Sequence, residues 1–446
     1  MIMLVIPVIA SAQAKEWSLQ DCIEYAIQNN IQLKQQEIST QYDASTLALS
    51  KLALLPTLNG YATHDYNFGR ALDETTYQYT ENQTVRSNNF GASSNVTLFS
   101  GMVNYNTIKR NQFKLFASQQ DLEVLKDNIS LNIALAYLQI LLDQELVNTT
   151  MAQVDLSKQQ VERTQKMVNA GSLAQGTLLD IEAQEANEEL QLTTLQNNLT
   201  LSYLNLAQML ELRNTDSFRI VIPNIEVKPV GLDGDPEAIY AVAEIDRPEV
   251  LSAQYSLEAS RSALSVARGG RSPKLTLSGS VGTAYNDARI DLLTTNRMLF
   301  KDQVNNNLNY VIGLTLSIPI LNGWSVNKNV ENAKLSIKYS EYTLEATRKT
   351  LYKNITQAFT DAGGALRKYY SSKKAVESME EAFRYSEQKF NVGLVNAIDY
   401  NQAKTNLLNA ESQMSQAKYE YIFKTKVLDF YKGLPITLEQ IGIISK

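Results

Sequence analysis

The segment that decides the fold is residues 308–323, LNYVIGLTLSIPILNG. Apolar side chains occupy every second position from Leu308 to Ile320, whereas Asn309, Thr315 and Ser317 lie between them. A period of two is typical of a β-strand with one apolar face and one polar face. The run is also long enough to cross a bilayer as a tilted strand, which takes about 9–11 residues.

Three further segments alternate in the same way. Together they predict four strands, at 58–68, 90–100, 275–285 and 308–320. The polar stretches 69–89 and 286–307 predict two long loops, which are normal on one side of an outer-membrane barrel.

These strands cannot form a membrane barrel within one chain. A lipid-facing sheet cannot leave an open edge, because unpaired backbone groups in hydrocarbon are costly. Closing a barrel takes about eight strands or more. If the strands cross a membrane, several chains must therefore contribute to one barrel. The alternative is a small soluble sheet that packs on the helices.

The sequence contains an internal two-fold repeat. Residues 96–101 resemble 318–323, and residues 167–171 resemble 389–393, with both pairs of closing glycines 222 positions apart. Apolar positions between these glycines keep the same offset and step by 3, 4 or 7 residues, which indicates one face of a helix. Each stretch holds a helix of roughly 65 residues, or about 100 Å, which is too long for a compact globular core.

Each long helix is followed by a glycine and a return helix. Gly171 and Gly393 are predicted to lie at the tips of antiparallel helical hairpins, with return helices at 177–212 and 398–431. A shorter helix opens each half, at 19–54 and 236–268. The expected organisation is a signal peptide at 1–14, a first repeat at 15–212, a connector at 213–235, a second repeat at 236–434 and a C-terminal tail at 435–446.

The N-terminal residues resemble a secretory signal. A short apolar run ends in Ala12-Gln-Ala14, which predicts cleavage after Ala14, although a basic n-region is missing. Cys22 follows Gln20 and Asp21, which fit a lipid-attachment box poorly, so we expect an unmodified helix residue. Beyond residue 14, no apolar stretch reaches the 18 or so residues of a membrane helix.

Composition argues against several classes of function. The chain of 446 residues has a net charge of −6 and no basic cluster, which argues against nucleic acid as a partner. With one cysteine and one histidine, the sequence favours neither a soft-metal site nor a histidine-based triad. We therefore expect no enzyme activity, no cofactor and no metal. His64, on the apolar face of its strand, is expected at a barrel surface or an interface.

The chain resembles the TolC-like outer-membrane efflux protein family. The resemblance lies in residues 17–30 (WSLQDCIEYAIQNN), 247–254 (RPEVLSAQ), 267–275 (ARGGRSPKL), 316–323 (LSIPILNG) and 392–395 (VGLV) followed by Ile398-Asp399. It implies a mainly α, α+β fold. Three chains would pool four strands each into one outer-membrane β-barrel, and the helical hairpins would continue it as an α-barrel in the periplasm.

The resemblance also implies partners and site residues. The expected partners are two further copies of the chain, a periplasmic adaptor (membrane fusion) protein and an inner-membrane pump. Asp399 would narrow the periplasmic mouth as a ring of three carboxylates, with Asp180 as a second candidate. Gln402 stands where the family prototype has a further carboxylate. The adaptor-contact residues implied are Gly171, Val392, Gly393 and Leu394.

Two questions stay open at this level. The glutamates that follow the first tip are either a solvated helix face or part of the mouth; they are Glu182, Glu185, Glu188 and Glu189. The leading function is the exit duct of a tripartite efflux pump. The alternatives are the exit duct of a type I protein secretion system and, in a different class, a soluble periplasmic coiled-coil scaffold.

Overall fold

A computed structural model describes residues 16–70, 77–79, 82–213, 218–223, 227, 235–291 and 296–437. The predicted signal peptide, part of the connector and the end of the tail lie outside these residues. The elements in chain order are β1 (Glu16–Trp17), α1 (Leu19–Asn29), α2 (Ile31–Leu52), β2 (Thr57–Gly69), β3 (Gln83–Phe99), α3 (Val103–Asn169), α4 (Gln175–Met209), β4 (Arg219–Ile220), α5 (Pro236–Asp246), α6 (Pro248–Gly269), β5 (Lys274–Asn286), α7 (Phe300–Asn306), β6 (Asn309–Ser317), α8 (Ser325–Asn391) and α9 (Ala397–Tyr431).

The chain divides into two compact units that cut across the sequence repeats. One unit comprises residues 39–119 and 252–344 and holds an antiparallel sheet of order β2-β3-β5-β6. The other comprises residues 1–38, 120–251 and 345–446 and is built around the helical hairpins. The repeat boundaries given above remain a prediction.

The ladder register places the apolar positions of all four strands on one face of the sheet. Ala62 lies opposite Phe90, Ala92 lies opposite Val281, and Val281 lies opposite Tyr310. Facing residues of antiparallel strands point to the same side, so the apolar residues of the four strands form one continuous face. The face is uncovered at both edge strands, where Leu58 is 78% exposed and Ile312 is 84% exposed.

Two strand boundaries differ from the sequence prediction. β3 begins at Gln83 rather than near residue 90. Residues 83–89 contain one apolar side chain, Val85, and so show no alternation, yet they pair with β2 throughout. β6 ends at Ser317 rather than at Ile320. Pro319 has no N–H to donate to a ladder, so the sheet stops before it.

The two long helices are confirmed, and each opening helix is broken. α3 and α8 each contain 67 residues. The first opening helix stops at Asn30, whose side-chain oxygen accepts from Gln32 N at 2.9 Å and so starts α2. The second stops at Arg247, because the ring of Pro248 disfavours a helical residue before it.

The turn before each long helix has the same backbone conformation in both halves. Gly101 and Met102 both have positive φ (61° and 63°), as do Gly323 and Trp324 (59° and 65°). Each pair reverses the chain between the last strand of its half and a long helix. At Gly101 a side chain would also clash with Ser272, since an added Cβ would lie 2.3 Å from that residue's Cβ.

The helical unit encloses the main apolar core. Its centre is formed by side chains of α3, α4 and α9, such as Ile133, Leu206 and Ile422, each with 0% exposure. The Tyr137 hydroxyl donates to the Val221 carbonyl at 2.6 Å, which ties the start of the connector to α3. Within the described parts of the chain, no helix is both long and apolar enough to span a membrane.

The two return helices end in the same C-terminal motif, which allows a prediction about the stability of variants at Glu211 and Gly433. Glu211 and Gly433 both have positive φ (57° and 77°) and are followed by the same pair of capping hydrogen bonds. A side chain is strained in this region, so Glu211→Gly should raise the free energy of unfolding by about 1 kcal/mol. Thermal unfolding of the purified protein, followed by circular dichroism, measures the change.

Two controls separate backbone strain from the loss of the glutamate side chain. Glu211→Ala keeps the β-carbon and should leave stability nearly unchanged, whereas Gly433→Ala should lower it by about 1 kcal/mol. An equal gain from Glu211→Ala and Glu211→Gly would contradict the strain argument.

Candidate functional site

The two hairpin tips form the candidate site. Each helix ends in a Schellman motif: Gly171 N donates to Val168 O and Ser172 N to Met167 O, both at 2.9 Å, and the second tip repeats the pattern at Gly393 and Leu394. φ is +77° at Gly171 and +75° at Gly393. An added Cβ would meet nothing within 4 Å at either glycine, so the conformation alone requires glycine.

The tips lie against one another. A cleft of about 360 Å³ between them is lined from the first hairpin by residues including Arg163, Met167 and Leu173. The second hairpin contributes Phe390 and Val392 among others. The tips therefore present one continuous surface.

The predicted adaptor-contact residues are placed at this surface. Val392 is 69% exposed and Leu394 is 74% exposed, at the very turn of the second hairpin. Two exposed apolar side chains beside a turn are available for a partner. Ser172, rather than an apolar residue, is the equivalent of Leu394 in the first tip.

The two candidate gate carboxylates are exposed but not equivalent. Asp399 lies in the first turn of α9, where the Asn396 side-chain oxygen caps the helix by accepting from Asp399 N at 2.8 Å. A carboxylate is favourable there because it faces the positive end of the helix dipole. Neither Asp399 nor Asp180 forms an ion pair in the described residues.

The two tips have the same length, although their aspartates lie at different distances from the turn. α4 and α9 begin at Gln175 and Ala397, so the tips have the same length. Asp180 therefore lies one helical turn further from its tip than Asp399 does. Its positional equivalent is Gln402, whose amide donates to Asn406 at 2.9 Å.

A buried ion pair behind the tips was missed by sequence reasoning. Lys404 Nζ lies 3.1 Å from Glu188 Oε2, and each side chain is 3% exposed. The Ser157 hydroxyl contacts both groups, so α3, α4 and α9 meet at one charged cluster. Burial lowers the pKa of Lys404, and Glu188 opposes that shift.

The other three glutamates lie at or near the surface of the helix. Glu182 is exposed and Glu185 is half-buried. Glu189 forms a surface ion pair with Lys158 at 2.8 Å. Only Glu188 departs from a solvated helix face. The signal that could have found it is a lysine at an inward-facing position of α9, which requires a buried anion nearby.

Aromatic packing stiffens the second tip. Tyr400 is 5% exposed, and its ring stacks on Phe390 with centroids 4.8 Å apart. Burial raises the pKa of Tyr400 to about 12, so the phenol stays neutral at physiological pH. Among the residues that the structure describes, no group of three or more His, Cys, Asp or Glu could hold a metal ion.

Comparison with known proteins decides the family. The model described as "Outer membrane efflux protein" matches residues 22–211 and again 239–429. The chain belongs to the outer membrane efflux protein family. This family is one of transport ducts, so the protein is a channel of the outer membrane for efflux or secretion. The soluble periplasmic scaffold is therefore excluded.

Individual relatives share low sequence identity with this chain, but the similarity extends over most of its length. TolC of Salmonella enteritidis is 24% identical over 69% of this chain, and the chain spans 61% of that protein's length. The proteases secretion protein PrtF of Dickeya chrysanthemi is 21% identical over 93% of this chain and 87% of its own length. The outer-membrane channel CmeC of Campylobacter jejuni superposes with a TM-score of 0.80 at 19% identity, covering 94% and 86% of the two chains. The TolC-like, mainly α fold is thereby confirmed.

The buried ion pair generates a prediction about this efflux-family channel. Lys404→Met leaves Glu188 buried without its cation and should lower the free energy of unfolding by about 3–5 kcal/mol at neutral pH.

Thermal unfolding of Lys404→Met at neutral pH tests this expectation. The double variant Lys404→Met, Glu188→Gln is the matched control, since it removes both charges and should not show the full loss. No recovery of stability in the double variant would show that the two charges are not coupled.

Proposed function

We propose that this protein is the outer-membrane exit duct of a tripartite efflux pump, through which substrates pass without chemical change. The observation that carries the proposal is a four-stranded sheet with an uncovered apolar face, joined in one chain to helical hairpins with exposed tips. The apolar face suits lipid, and the polar face suits a water-filled lumen. The exposed tips suit contact with a partner protein.

We propose that three copies assemble. β2 and β6 form the two edges of the sheet, and each has backbone groups without a ladder partner among the described residues. In hydrocarbon such edges have to pair, and pairing β2 of one copy with β6 of the next closes a barrel. Three copies supply twelve strands, an even number within the range of bacterial barrels.

The adaptor is proposed to dock on the second tip through Val392, Gly393 and Leu394, with Gly171 contributing from the first. Exposed apolar side chains on a fixed turn provide an anchor at little conformational cost. The inner-membrane pump would act through that adaptor.

The type I secretion duct remains the second candidate. PrtF is a secretion protein by its name, whereas the family description refers to efflux. A duct of the same architecture serves both roles. Loss of the gene would sensitise cells to small toxic compounds in the first case, and would retain a secreted protein inside the cell in the second.

The docking proposal predicts a separation of assembly from function. Leu394→Asp places a charge where an apolar contact is needed and should abolish export, while trimers still reach the outer membrane. Growth in the presence of efflux substrates measures export in a strain that lacks the native copy, and native mass spectrometry measures the trimer.

Ser378→Asp is the matched control. It adds the same charge on an exposed position of α8, roughly four turns before the tip, and should leave export intact. Full export by Leu394→Asp would overturn the docking surface. A lost trimer would mean that this leucine serves assembly.

The gate proposal predicts a change in ion selectivity. Three copies of Asp399 at a narrow mouth would favour cations, because a ring of carboxylates attracts cations and repels anions. Asp399→Asn should therefore lower the ratio of cation to anion permeability in planar bilayers. Since Gln402 is already neutral, this one substitution removes the charge at that level of α9.

Asp180→Asn is the comparison variant, since it removes a carboxylate one turn further from the other tip. It should change selectivity less than Asp399→Asn. The reverse order would place the narrowest ring on the first hairpin.

A further inference from the structure

The second long loop does not project freely from the sheet. It contains α7, a helix of 7 residues in a stretch for which the sequence predicted a polar loop. Phe300 at the start of α7 packs on Tyr285, with ring centroids 5.0 Å apart, and on Phe90, at 6.3 Å. The loop therefore folds back onto the sheet.

The ladder register shows which face of the sheet the helix covers. Phe90 lies opposite Ala62, and Tyr285 lies opposite Asn88, which lies opposite His64. All belong to the face that carries Leu58 and Ile312. Thr283, opposite Phe90 on that face, also donates to the Val304 carbonyl of α7 at 2.7 Å. α7 thus lies on the apolar side of the sheet, not on the polar side.

One buried amide fixes this position. Gln303 is 1% exposed, and its side chain accepts from Asn286 N at 2.9 Å and donates to Asn286 O at 2.8 Å. It thereby pairs with the last residue of β5 as a neighbouring strand would. A second bond from the same amide, to Met298 O at 3.0 Å, holds the residues just before the helix.

The outer surface of α7 is apolar where it begins. Leu299 is 71% exposed and Phe300 is 48% exposed, although both stand at a fixed turn next to the sheet. The charged residues of the described part of this loop balance: Arg289, Arg297 and Lys301 against Asp287, Asp291 and Asp302. Apolar contact, rather than net charge, therefore decides what this surface can bind.

We propose that α7 is a membrane-interface anchor, whose Leu299 and Phe300 insert into the outer leaflet at the rim of the barrel. The inference rests on the proposed placement of the apolar face against lipid, with which the surface of α7 is continuous. Amphipathic segments that lie in an interface present such apolar residues to the acyl boundary.

Spin labelling of the full-length protein in phosphatidylcholine vesicles tests the anchor. A nitroxide is attached at Leu299→Cys, and its collisions with oxygen, which concentrates in lipid, are compared with those of a water-soluble nickel chelate. The native Cys22 has 0% exposure and is replaced by alanine to avoid background labelling. Reference labels are placed at Ile312→Cys on the apolar face and at Asn309→Cys on the polar face.

The expected result is a label at Leu299 that favours oxygen, as at Ile312, whereas the label at Asn309 favours nickel. Gln303→Leu should release α7 and shift the Leu299 label toward nickel. A Leu299 label that favours nickel, or that is shielded from both reagents, overturns the anchor while Ile312 still reports lipid. An Ile312 label that favours nickel overturns the barrel placement together with the anchor.

Discussion

Backbone hydrogen bonding in hydrocarbon is the constraint on which the structure depends. A sheet edge in water is tolerated, but in lipid each unpaired N–H or C=O is costly, and four strands cannot remove their own edges. Association of several copies is therefore a condition of inserting this sheet. The described residues also leave much of the apolar face uncovered, since β6 is exposed along most of its length.

The internal repeat builds the sheet from two similar halves. Each half supplies two neighbouring strands, and each returns the chain from its last strand to a long helix through two residues of positive φ. At Gly101 that turn also approaches Gly269 and Ser272, where no side chain fits. A turn so restricted fixes where each strand ends and each helix begins.

Features with a regular period were predictable from the sequence, and features made by distant partners were not. The apolar face, the long helices and the hairpin tips follow from periods of two and seven residues and from glycine spacing. α7 was missed because seven residues are too few to show a helical period. Residues 83–89 of β3 were missed because one apolar side chain, Val85, is too few to show an alternation. The pairing of Lys404 with Glu188 joins residues 216 positions apart, so no local pattern announces it.

The two hairpins share a backbone design but differ in chemistry. Their tips have the same length and the same capping hydrogen bonds, whereas a side-chain cap supports only α9. The position of Lys404 corresponds to the exposed Glu182, and that of Glu188 to the buried Ala410. The buried charge pair therefore has no copy elsewhere in the repeat, and it ties α9 to both helices of the first hairpin. Separating α9 from the first hairpin would require breaking this cluster, so motion of the tips that keeps it intact must carry α9 along with α3 and α4.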